Sequence, residues 1–386
     1  MVVLNLMPPN AGGGLQNALS FLKGLESRPD LAEISVVCCV EGGEIHRLAV
    51  DLGVVCRTFK SGVLGRFRFE LFGFYAVCKE FDVRLVFTLF GNRPLFSPGV
   101  YSISGFALSN ILQPEVDFWS DFVVWRKFYL KFKDKIRFFT ALRSDELIFE
   151  TEYLLGRARE TLFRRRKLHV VKMQPSNLVL DALAANEGLA RQVSYGGDFL
   201  CLSGAHPNKR IHLLAPIFSE LARLSLGAGQ TPPRLMVSFN CTSSYAEYIR
   251  RQFELYGVGH LLRFIGVVPS SEVAKVVLSS CGVINIARLE SFSNNWVEAW
   301  AAGVPLISTS AEWAVASCGN AALYIDPENS LGSAYQIFEL YSSPDKLRLQ
   351  IAAGKLQVSS LLAGDKKIDS YCRIIFSALN SRVGGA

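Results

Sequence analysis

Short, continuous apolar runs alternate along this chain with longer segments in which apolar residues recur every three or four positions. A short run bounded by Gly, Pro or polar residues is typical of a strand buried in a parallel sheet, and the longer spacing is typical of an amphipathic helix. The runs predict strands at 2–7, 34–40, 83–90, 199–204, 234–240, 261–268, 282–289 and 322–327, one in KLHVVKMQPSNLVLDAL and one opening at Pro305. This alternation predicts an α/β protein with doubly wound sheets.

The alternation stops and restarts once, which predicts two domains. With 386 residues, the chain is long enough for two domains of ordinary size. We place the boundary near residues 175–195, with domains at 1–180 and 181–365. Residues 91–125 are rich in Pro, Gly, Ser and aromatic residues and are not assigned to elements. A long irregular stretch within a domain is often a binding loop.

One strand–loop–helix–strand unit, GVINIARLESFSNNWVEAWAAGVPLISTS at 282–310, carries candidate chemistry. Glu290 follows the strand, where parallel sheets place ligand-binding groups. Glu298 lies in the first turns of the predicted helix 295–302, which Gly303 ends. The exposed amides of 292–295 could bind an anion. Two acceptors for hydroxyls beside donors for phosphate suit a sugar nucleotide. The structural alternative is an N-cap at Asn295 with Glu298 as its capping-box partner.

Two further loops follow predicted strands. Lys209, in GAHPNKR, comes just after a strand end, where a cation can neutralise a diphosphate leaving group. Gly12–Gly14 lie between the first strand and its helix, and glycines there allow a ligand to approach the backbone. The structural alternatives are a surface lysine and a tight turn without a ligand.

The pair of acids, E-x7-E, followed by EAWAAGVPLI, resembles the signature of retaining GT-B glycosyltransferases, in the large family 4 (group 1) that includes many bacterial polysaccharide and O-antigen transferases. The resemblance covers nearly the whole chain in layout, and it is specific mainly at 282–310 and 203–210. It implies the GT-B fold, with two Rossmann-like doubly wound domains, an interdomain cleft and a last helix, 366–386, that crosses back to the first domain.

The resemblance also implies roles for individual residues. Glu290 would contact the donor sugar and Glu298 the ribose, and Lys209 matches the family lysine. The family arginine is missing, because Ala205 follows Gly204, and Arg210 is a possible substitute. The implied donor-binding positions are Gly13, Gly14, Gly204, Arg210, Val268, Phe292, Ser293, Asn294 and Glu298.

The implied activity is sugar transfer from a nucleoside diphosphate sugar to a glycan or lipid-linked acceptor, with retention and without a metal or other cofactor. No D-x-D cluster is present to hold a metal. Two other classes stay open. A nicotinamide-dependent oxidoreductase would use Gly12–Gly14 and Glu41, although the third glycine of G-x-G-x-x-G is missing. A non-catalytic glycan-assembly subunit would explain Ala205.

Charge and composition add a partner. Half of the residues are hydrophobic, 19% are charged, and the net charge is +7. Residues 126–172 carry fourteen Lys and Arg against six Asp and Glu, with aromatic residues between them. This mixture suits an anionic membrane surface, so we predict peripheral contact through 125–172. The alternative is an aromatic core beneath a solvated charged face. No nucleic-acid-binding module is recognised.

The expected location is the cytoplasm, including the inner face of the cytoplasmic membrane. The N-terminal stretch lacks the basic region and cleavage site of a signal peptide, and no apolar run approaches the length of a membrane span. Nine cysteines without a C-x-x-C pair are typical of reduced thiols and give no zinc site.

Overall fold

A computed structural model describes residues 1–8, 12–97, 99–185, 196–363 and 366–383 of the chain. The chain forms two compact units, each built on its own parallel sheet. The first unit comprises Met1–Pro114, Val123–Met173 and Gly364–Ala386, and the second comprises Glu115–Phe122 and Gln174–Ala363. The predicted class, two Rossmann-like doubly wound α/β domains, is confirmed. Residues 186–195 of the predicted boundary lie outside the described residues, and the ranges 1–180, 181–365 and 366–386 stay a prediction.

The first unit has a seven-stranded sheet with every neighbouring pair parallel, in the order β3-β2-β1-β4-β5-β6-β7 for strands numbered along the chain. The strands are β1 (Val2–Asn5), β2 (Ser35–Val40), β3 (Val55–Phe59), β4 (Leu85–Thr88), β5 (Tyr101–Gly105), β6 (Glu146–Phe149) and β7 (Lys167–Val170). The helices are α1 (Gly12–Gly24), α2 (Pro29–Ala32), α3 (Glu44–Asp51), α4 (Gly62–Arg68), α5 (Phe74–Phe81), α6 (Ser109–Leu112), α7 (Val124–Ala141) and α8 (Glu152–Arg159).

The central strand β1 shows why this sheet is covered on both faces. Successive side chains of a strand point to opposite faces. Val2 and Leu4 pack into one apolar cluster with Phe21, whereas Val3 packs into another with Phe69 and Phe74. A strand buried on both faces is apolar at nearly every position, and this is why β1 was readable from the sequence.

The second unit has a six-stranded parallel sheet in the order β10-β9-β8-β11-β12-β13. The strands are β8 (Asp198–Cys201), β9 (Arg234–Val237), β10 (Leu262–Phe264), β11 (Gly282–Asn285), β12 (Leu306–Thr309) and β13 (Leu323–Ile325). The helices are α9 (Asn177–Ala185), α10 (Leu214–Gly227), α11 (Ser244–Leu255), α12 (Val273–Leu278), α13 (Asn294–Ala302), α14 (Glu312–Cys318), α15 (Ser330–Ser342) and α16 (Pro344–Ala363).

The last helix, α17 (Lys367–Val383), belongs to the first unit. Tyr371 packs against the rings of Phe21 and Phe87, with centroid distances of 5.6 and 5.3 Å. The guanidinium of Arg28 also pairs with Asp369 at 3.1 Å. The chain therefore enters the second unit and returns to the first.

Three strands of the first unit, β3, β5 and β6, were not predicted. Strand β5 lies inside the stretch 91–125 that the sequence left unassigned, so the structure corrects the view of that stretch as irregular throughout. Ser102 and Ser104 of β5 are buried, where they bond to Asp145 and Ser144 at 2.8 Å. These polar residues interrupt the apolar run that would have marked the strand.

The order of the second sheet fixes where its loops meet. Strands β8 and β11 are neighbours at the centre, and the chain leaves them toward opposite edges. In open parallel sheets such a reversal leaves a crevice at the carboxyl ends of the two strands, where ligands bind. The loops that follow β8 and β11 contain Lys209 and Glu290.

Among the described residues, no helix is both long enough and apolar enough to cross a bilayer.

Candidate functional site

Lys209 and Glu290 meet at the carboxyl ends of β8 and β11. The ammonium of Lys209 forms an ion pair with Oε1 of Glu290, and both side chains are largely buried. Oε2 of Glu290 accepts a hydrogen bond from Asn285 Nδ2 at 3.0 Å. The same amide nitrogen lies 2.9 Å from Ser293 Oγ. The carboxylate is thus held on both oxygens, by a cation and by an amide.

Asn285 explains how the strand aims this carboxylate. It is the last residue of β11 and is only 4% exposed. Its Oδ1 accepts a hydrogen bond from the backbone N–H of Ala287 at 3.1 Å, which turns the chain out of the sheet. A buried amide needs its donors and acceptors paired, and Asn285 satisfies this by joining the turn to the acid. The sequence analysis did not single it out, although an Asn that ends the apolar run GVIN was the available signal.

Asn208, the neighbour of Lys209, ties the β8 loop to the β11 loop. Its Nδ2 donates to the carbonyl of Leu289 at 2.8 Å, and its own carbonyl accepts from the N–H of Arg288 at 2.8 Å. Its side-chain Oδ1 is buried without a hydrogen-bond partner in the described structure. These hydrogen bonds between the two loops fix the backbone around Lys209 relative to the backbone around Glu290.

The helix α13 begins next to Glu290. Ser293 is its N-cap, and Asn294 is the first helical residue. Asn295 lies inside the first turn, and its side chain donates to the carbonyl of Leu202 at the end of β8. The capping-box alternative, with Asn295 as the N-cap, is therefore wrong. The first-turn amides have no carbonyl partner four residues back within the helix, which is the usual basis of anion binding at helix starts.

Glu298 and Gly303 lie where the sequence predicted them on this helix. Glu298 is only 4% exposed. Gly303 follows the last helical residue with φ of 67°, a left-handed conformation that favours glycine. Phe292 stands edge-on to Trp296, with ring centroids 5.2 Å apart, and Trp296 stacks on Trp313 at 5.5 Å. The start of α13 thus rests on an aromatic stack.

Arg210 lies over the same sheet edge, but its guanidinium is bound to the protein. Nε donates to the carbonyl of Ile286 at 3.0 Å, and Nη2 lies 3.3 Å from Thr309 Oγ1. Glu328 lies 3.7 Å from Nη1. Burial, and next the charge of Arg288, lower the pKa of Arg210 from its ordinary value. Arg210 therefore adds positive charge to the edge but is anchored across β11 and β12.

Arg288 is a further cation at this edge that sequence reasoning missed. It pairs with Asp121 at 2.6 Å, and its carbonyl accepts from Trp313 Nε1 at 3.2 Å. Asp121 belongs to 115–122, the piece of the N-terminal half that clusters with the second unit. The position of Arg288, two residues before Glu290, could have indicated a site residue, because strand ends carry ligand-binding groups.

The segment 115–122 also brings aromatic rings to the β8 loop. Phe118 stacks on the imidazole of His206, with centroids 5.8 Å apart. Trp119 and Phe122 approach the same imidazole at 6.1 and 5.9 Å. His206 in turn accepts from the N–H of Asn208 at 3.1 Å. The segment is therefore in contact with the turn that carries Lys209.

The other predicted site residues make none of the hydrogen bonds described above for this network. Gly204 is in the loop after β8, and a side chain placed there would meet nothing within 4 Å. Val268 is half-buried in the loop after β10. Gly13 and Gly14 belong to the first unit, in the first turn of α1. The structure therefore brings together Lys209, Glu290, Ser293 and Asn294, with Arg210 and Glu298 on adjoining elements.

Three features of the surroundings bear on ligands. In the described part of the chain, no group of three or more His, Cys, Asp or Glu side chains is placed to hold a metal ion. A cavity of about 780 Å³ adjoins Ser310 and Asp326, which follow β12 and β13, and shares no lining residue with the Lys209–Glu290 network. Burial raises the pKa of the Cys201 thiol, at the end of β8, to about 11, so it is neutral beside the network.

Solved structures similar to this chain include glycosyltransferases of the GT-B class. Sucrose-phosphate synthase from Thermosynechococcus elongatus matches with a TM-score of 0.71 and 12% identity, over 98% of this chain and 99% of that one. Anabaena HepE in complex with UDP-glucose matches with a TM-score of 0.68 and 14% identity, over 98% and 100%. WaaG, a glycosyltransferase of lipopolysaccharide biosynthesis, matches with a TM-score of 0.64 and 13% identity, over 95% and 96%. No protein-family model matches the chain, and neither does any curated protein. At these identities the likeness shows the fold.

Proposed function

We propose that this protein is a retaining glycosyltransferase that moves a sugar from a nucleoside diphosphate sugar to a glycan or lipid-linked acceptor. The observation that carries the proposal is the ion pair of Lys209 and Glu290, held by Asn285 at the point where the strand order reverses. A cation, a fixed carboxylate and a helix start lie together there, which matches the charges and hydroxyls of such a donor. The UDP-glucose bound to HepE, a protein of the same fold, supports the same class of donor.

Each group at this edge has a distinct part in donor binding. The ammonium of Lys209 faces the diphosphate and stabilises the charge that develops as it leaves. The first-turn amides of α13, from Ser293 and Asn294 onward, donate to phosphate oxygens. Glu290 accepts hydrogen bonds from sugar hydroxyls, and its two existing partners hold it in place before the donor binds. Such preorganisation avoids a reorientation cost during the reaction.

Every bond that breaks or forms in the transfer step belongs to the donor or the acceptor. The bond from the anomeric carbon to the diphosphate oxygen breaks, and a bond to the acceptor oxygen forms on the same face of the sugar. The proton of the acceptor hydroxyl passes to the departing diphosphate, whose charge Lys209 offsets. Neither a metal nor another cofactor has a part in this proposal.

The remaining assignments belong to the same proposal. Glu298 contacts the ribose, Val268 borders the base, and Gly13, Gly14 and Gly204 allow the donor to approach the backbone. Arg210 stabilises the charge of the diphosphate from its anchored position. The protein acts in bacterial surface polysaccharide synthesis at the cytoplasmic face of the membrane, with the basic segment 125–172 in contact with anionic lipid.

A thermal-shift screen of the full chain with UDP-, GDP-, ADP- and dTDP-sugars tests the proposal, with NAD and NADP as additional arms. A ligand at about 100 times its Kd stabilises the folded state by roughly 2.7 kcal/mol, enough for a measurable shift in Tm. We expect one family of nucleotide sugars to raise the Tm. The donor found in this way is then incubated with acceptor, and NMR of the product reports the configuration at the anomeric carbon.

Each other outcome has a definite meaning. A shift with NAD or NADP alone would replace the proposal with an oxidoreductase that uses Gly12–Gly14 and Glu41. If the donor binds but is neither transferred nor slowly hydrolysed, the protein is a non-catalytic subunit, the alternative that Ala205 raises. A product with inverted configuration at the anomeric carbon would support a glycosyltransferase but contradict the retaining mechanism.

A further inference from the structure

The helix α7 of the first unit is amphipathic, but its apolar face points outward and not toward the core. Its inward side holds Asp134, which accepts a hydrogen bond from Asn110 at 2.7 Å and pairs with Arg137 at 3.0 Å. Near its C-terminal end, Phe138 packs against Phe163 at 4.8 Å, and Ala141 is buried. In a globular protein the apolar stripe of a helix normally faces the core. Here polar groups occupy much of the inward side.

An apolar stripe runs along the outward side of α7. Its members recur every three or four residues, so they share one face of the helix. Their exposure ranges from 51% for Ile136 to 86% for Trp125. The stripe consists of Trp125, Phe128, Tyr129, Phe132, Ile136 and Phe139. Exposed aromatic residues in such a contiguous row mark an interaction surface.

Basic residues flank this stripe. Helical geometry, at about 100° per residue, places Lys131 and Lys135 along one side of the stripe and Arg126 and Lys133 along the other. All four are exposed. On this helix, the positive charge of the wider segment therefore forms two cationic rows beside one aromatic row.

The rest of 125–172 does not share this arrangement, so α7 is the part of that segment that can carry the predicted membrane contact. Strand β6 is buried at every position, and Leu154, Leu155 and Ala158 of α8 pack into the core. Phe138, another aromatic residue of the segment, packs against that core. Helix α7 is the part of the segment that presents aromatic residues to the outside.

A second apolar patch lies on α4 and the π-helical turn Phe69–Gly73 that continues it. Val63, Leu64, Phe67 and Phe72 are each more than half exposed, and Arg66 and Arg68 lie among them. Short runs of exposed apolar residues beside arginines repeat the chemistry of the α7 stripe.

A loop links the two patches. The N–H of Leu95 donates to Glu70 Oε2 at 2.9 Å, and the carbonyl of Leu95 accepts from Arg143, just after α7, at 2.6 Å. Asn92 also donates to the carbonyl of Arg137 on α7 at 3.4 Å. Leu95 and Phe96 are themselves 42% and 54% exposed. The loop is therefore bonded to both helical regions and exposes its own apolar side chains.

We propose that the outward stripe of α7, the patch on α4 and Leu95–Phe96 form one surface that inserts into the headgroup region of an anionic bilayer. This inference rests on the proposed membrane contact of the transferase and assigns its residues. Aromatic rings favour the headgroup region, and basic side chains extend from an apolar surface to anionic headgroups. A second copy of the chain fits less well, because self-pairing of the stripe would bring rows of like charge together.

Vesicle binding of the full chain tests this surface without donor or acceptor. The probes are vesicles of phosphatidylglycerol and phosphatidylcholine, compared with phosphatidylcholine alone. We expect binding to the anionic vesicles that weakens with salt, because surface attraction is screened beyond about 8–10 Å at physiological ionic strength. We also expect a blue shift of Trp125 emission, which Trp125→Phe removes. The wild-type protein remaining unbound at low salt would overturn the proposal.

Paired variants separate the parts of the surface. F128S/F132S and, independently, V63S/F67S should each weaken vesicle binding at least tenfold. K131E/K135E should lower affinity by about fivefold or more for each charge removed. The matched control is L349S/L356S on α16 of the second unit, whose leucines are 70% and 73% exposed, and it should bind as the wild type does. All variants should keep the wild-type Tm, since the altered side chains are exposed.

Three results would overturn the assignment. If F128S/F132S binds vesicles as the wild type does, the α7 stripe is not part of the membrane surface. If V63S/F67S does so, the α4 patch is not part of it. A dimer that F128S/F132S dissociates, without vesicle binding, would make the stripe an interface between copies. Nucleotide-sugar binding, measured in parallel by thermal shift, is independent. Its loss with vesicle binding intact would count against the transferase and not against this surface.

Discussion

The carboxyl edge of the second sheet and the outward face of α7 in the first unit depart from the usual distribution of side chains in opposite ways. At the sheet edge, Asn285 and Glu298 are buried although they are polar or acidic. On α7, Phe128 and Phe132 are exposed although they are apolar. Burying polar groups costs free energy unless each is hydrogen-bonded, and exposing apolar area forgoes about 25 cal/mol per Å². Folding alone favours neither arrangement.

The two regions also differ in what holds them. The sheet edge is a network in which Glu290 is fixed by Lys209 and Asn285, and Asn208 joins the two loops. Such a network loses its geometry when one partner is removed. Within the part of the chain that the structure describes, the aromatic side chains of the α7 stripe form no comparable network, and the stripe depends on the inward side of the helix for its position. We therefore expect substitutions at the sheet edge to affect chemistry, and those on the stripe to affect neither chemistry nor stability.

The largest expected effect is that of Glu290→Gln. We expect kcat to fall by about 10²–10³, because a fixed electrostatic contact to the reacting sugar is lost, whereas the Kd of the nucleoside diphosphate should change little. Steady-state transfer kinetics and calorimetry measure the two quantities. The matched control is Glu339→Gln, an exposed glutamate on α15 of the same unit. Near-normal turnover of Glu290→Gln would remove Glu290 from the proposed mechanism.

Lys209→Ala should weaken binding of the free nucleoside diphosphate by about 10- to 100-fold and lower turnover as well. A hydrogen bond to a charged group contributes roughly 1.5–3 kcal/mol, and the missing arginine at Ala205 leaves fewer cations to compensate. Isothermal calorimetry gives the affinity. Lys275→Ala, which removes a lysine that is 71% exposed on α12, is the control. An unchanged diphosphate affinity in Lys209→Ala would contradict its phosphate role.

Two adjacent phenylalanines test the orientation of α7. Phe138 packs against Phe163, whereas Phe139 is 61% exposed. We expect Phe138→Ala to lower the free energy of unfolding by about 1–3 kcal/mol, less than the 3–5 kcal/mol typical of a fully buried ring. Phe139→Ala should change it by less than about 0.5 kcal/mol. Chemical denaturation followed by circular dichroism measures both, and equal losses would mean that the stripe is packed against protein.

Much of the fold was predictable because strands buried on both faces are continuously apolar. Strands β1, β2 and β11 have this pattern, and it was read correctly. Strand β6 begins with Glu146, which is buried against His169, Lys167 and Tyr101. These partners lie far along the chain, so no local pattern indicated that this acid is compatible with a strand.

The same limit applies to the site. Lys209 and Glu290 were predicted because each directly follows a strand, which is a local signal. The pair of Arg288 and Asp121 was missed because the two residues are 167 positions apart. Asn208 and Asn285 were missed because their function is to orient other groups, and short polar residues at strand ends are common in turns. The exposed stripe of α7 was ambiguous for a different reason, since helical periodicity predicts an apolar face without indicating the side that it faces.

A smaller loss than that of Phe138→Ala is expected at Asp121, which joins the segment 115–122 to the sheet edge through Arg288. Partial burial opposes ionisation of this carboxyl, but the hydrogen bond and charge of Arg288 outweigh it and hold its pKa below the ordinary value of 3.8. A carboxyl with a lowered pKa in the folded state stabilises the protein above its unfolded pKa. That contribution is lost as the pH falls through the folded pKa.

Asp121→Asn should therefore lower the free energy of unfolding by about 0.5–1 kcal/mol at pH 7, the range for a solvent-accessible ion pair. The difference from the wild type should shrink below about pH 4 and vanish at lower pH, where the wild-type carboxyl is protonated. Urea denaturation across this pH range measures it. Asp345→Asn, which removes the partner of Arg348 in a pair that is 77% and 81% exposed, should show no such dependence. A difference that persists at low pH would mean that Asp121 holds the segment by packing or neutral hydrogen bonds. It would contradict the proposal that the ion pair of Asp121 and Arg288 stabilises the contact between the segment and the sheet edge.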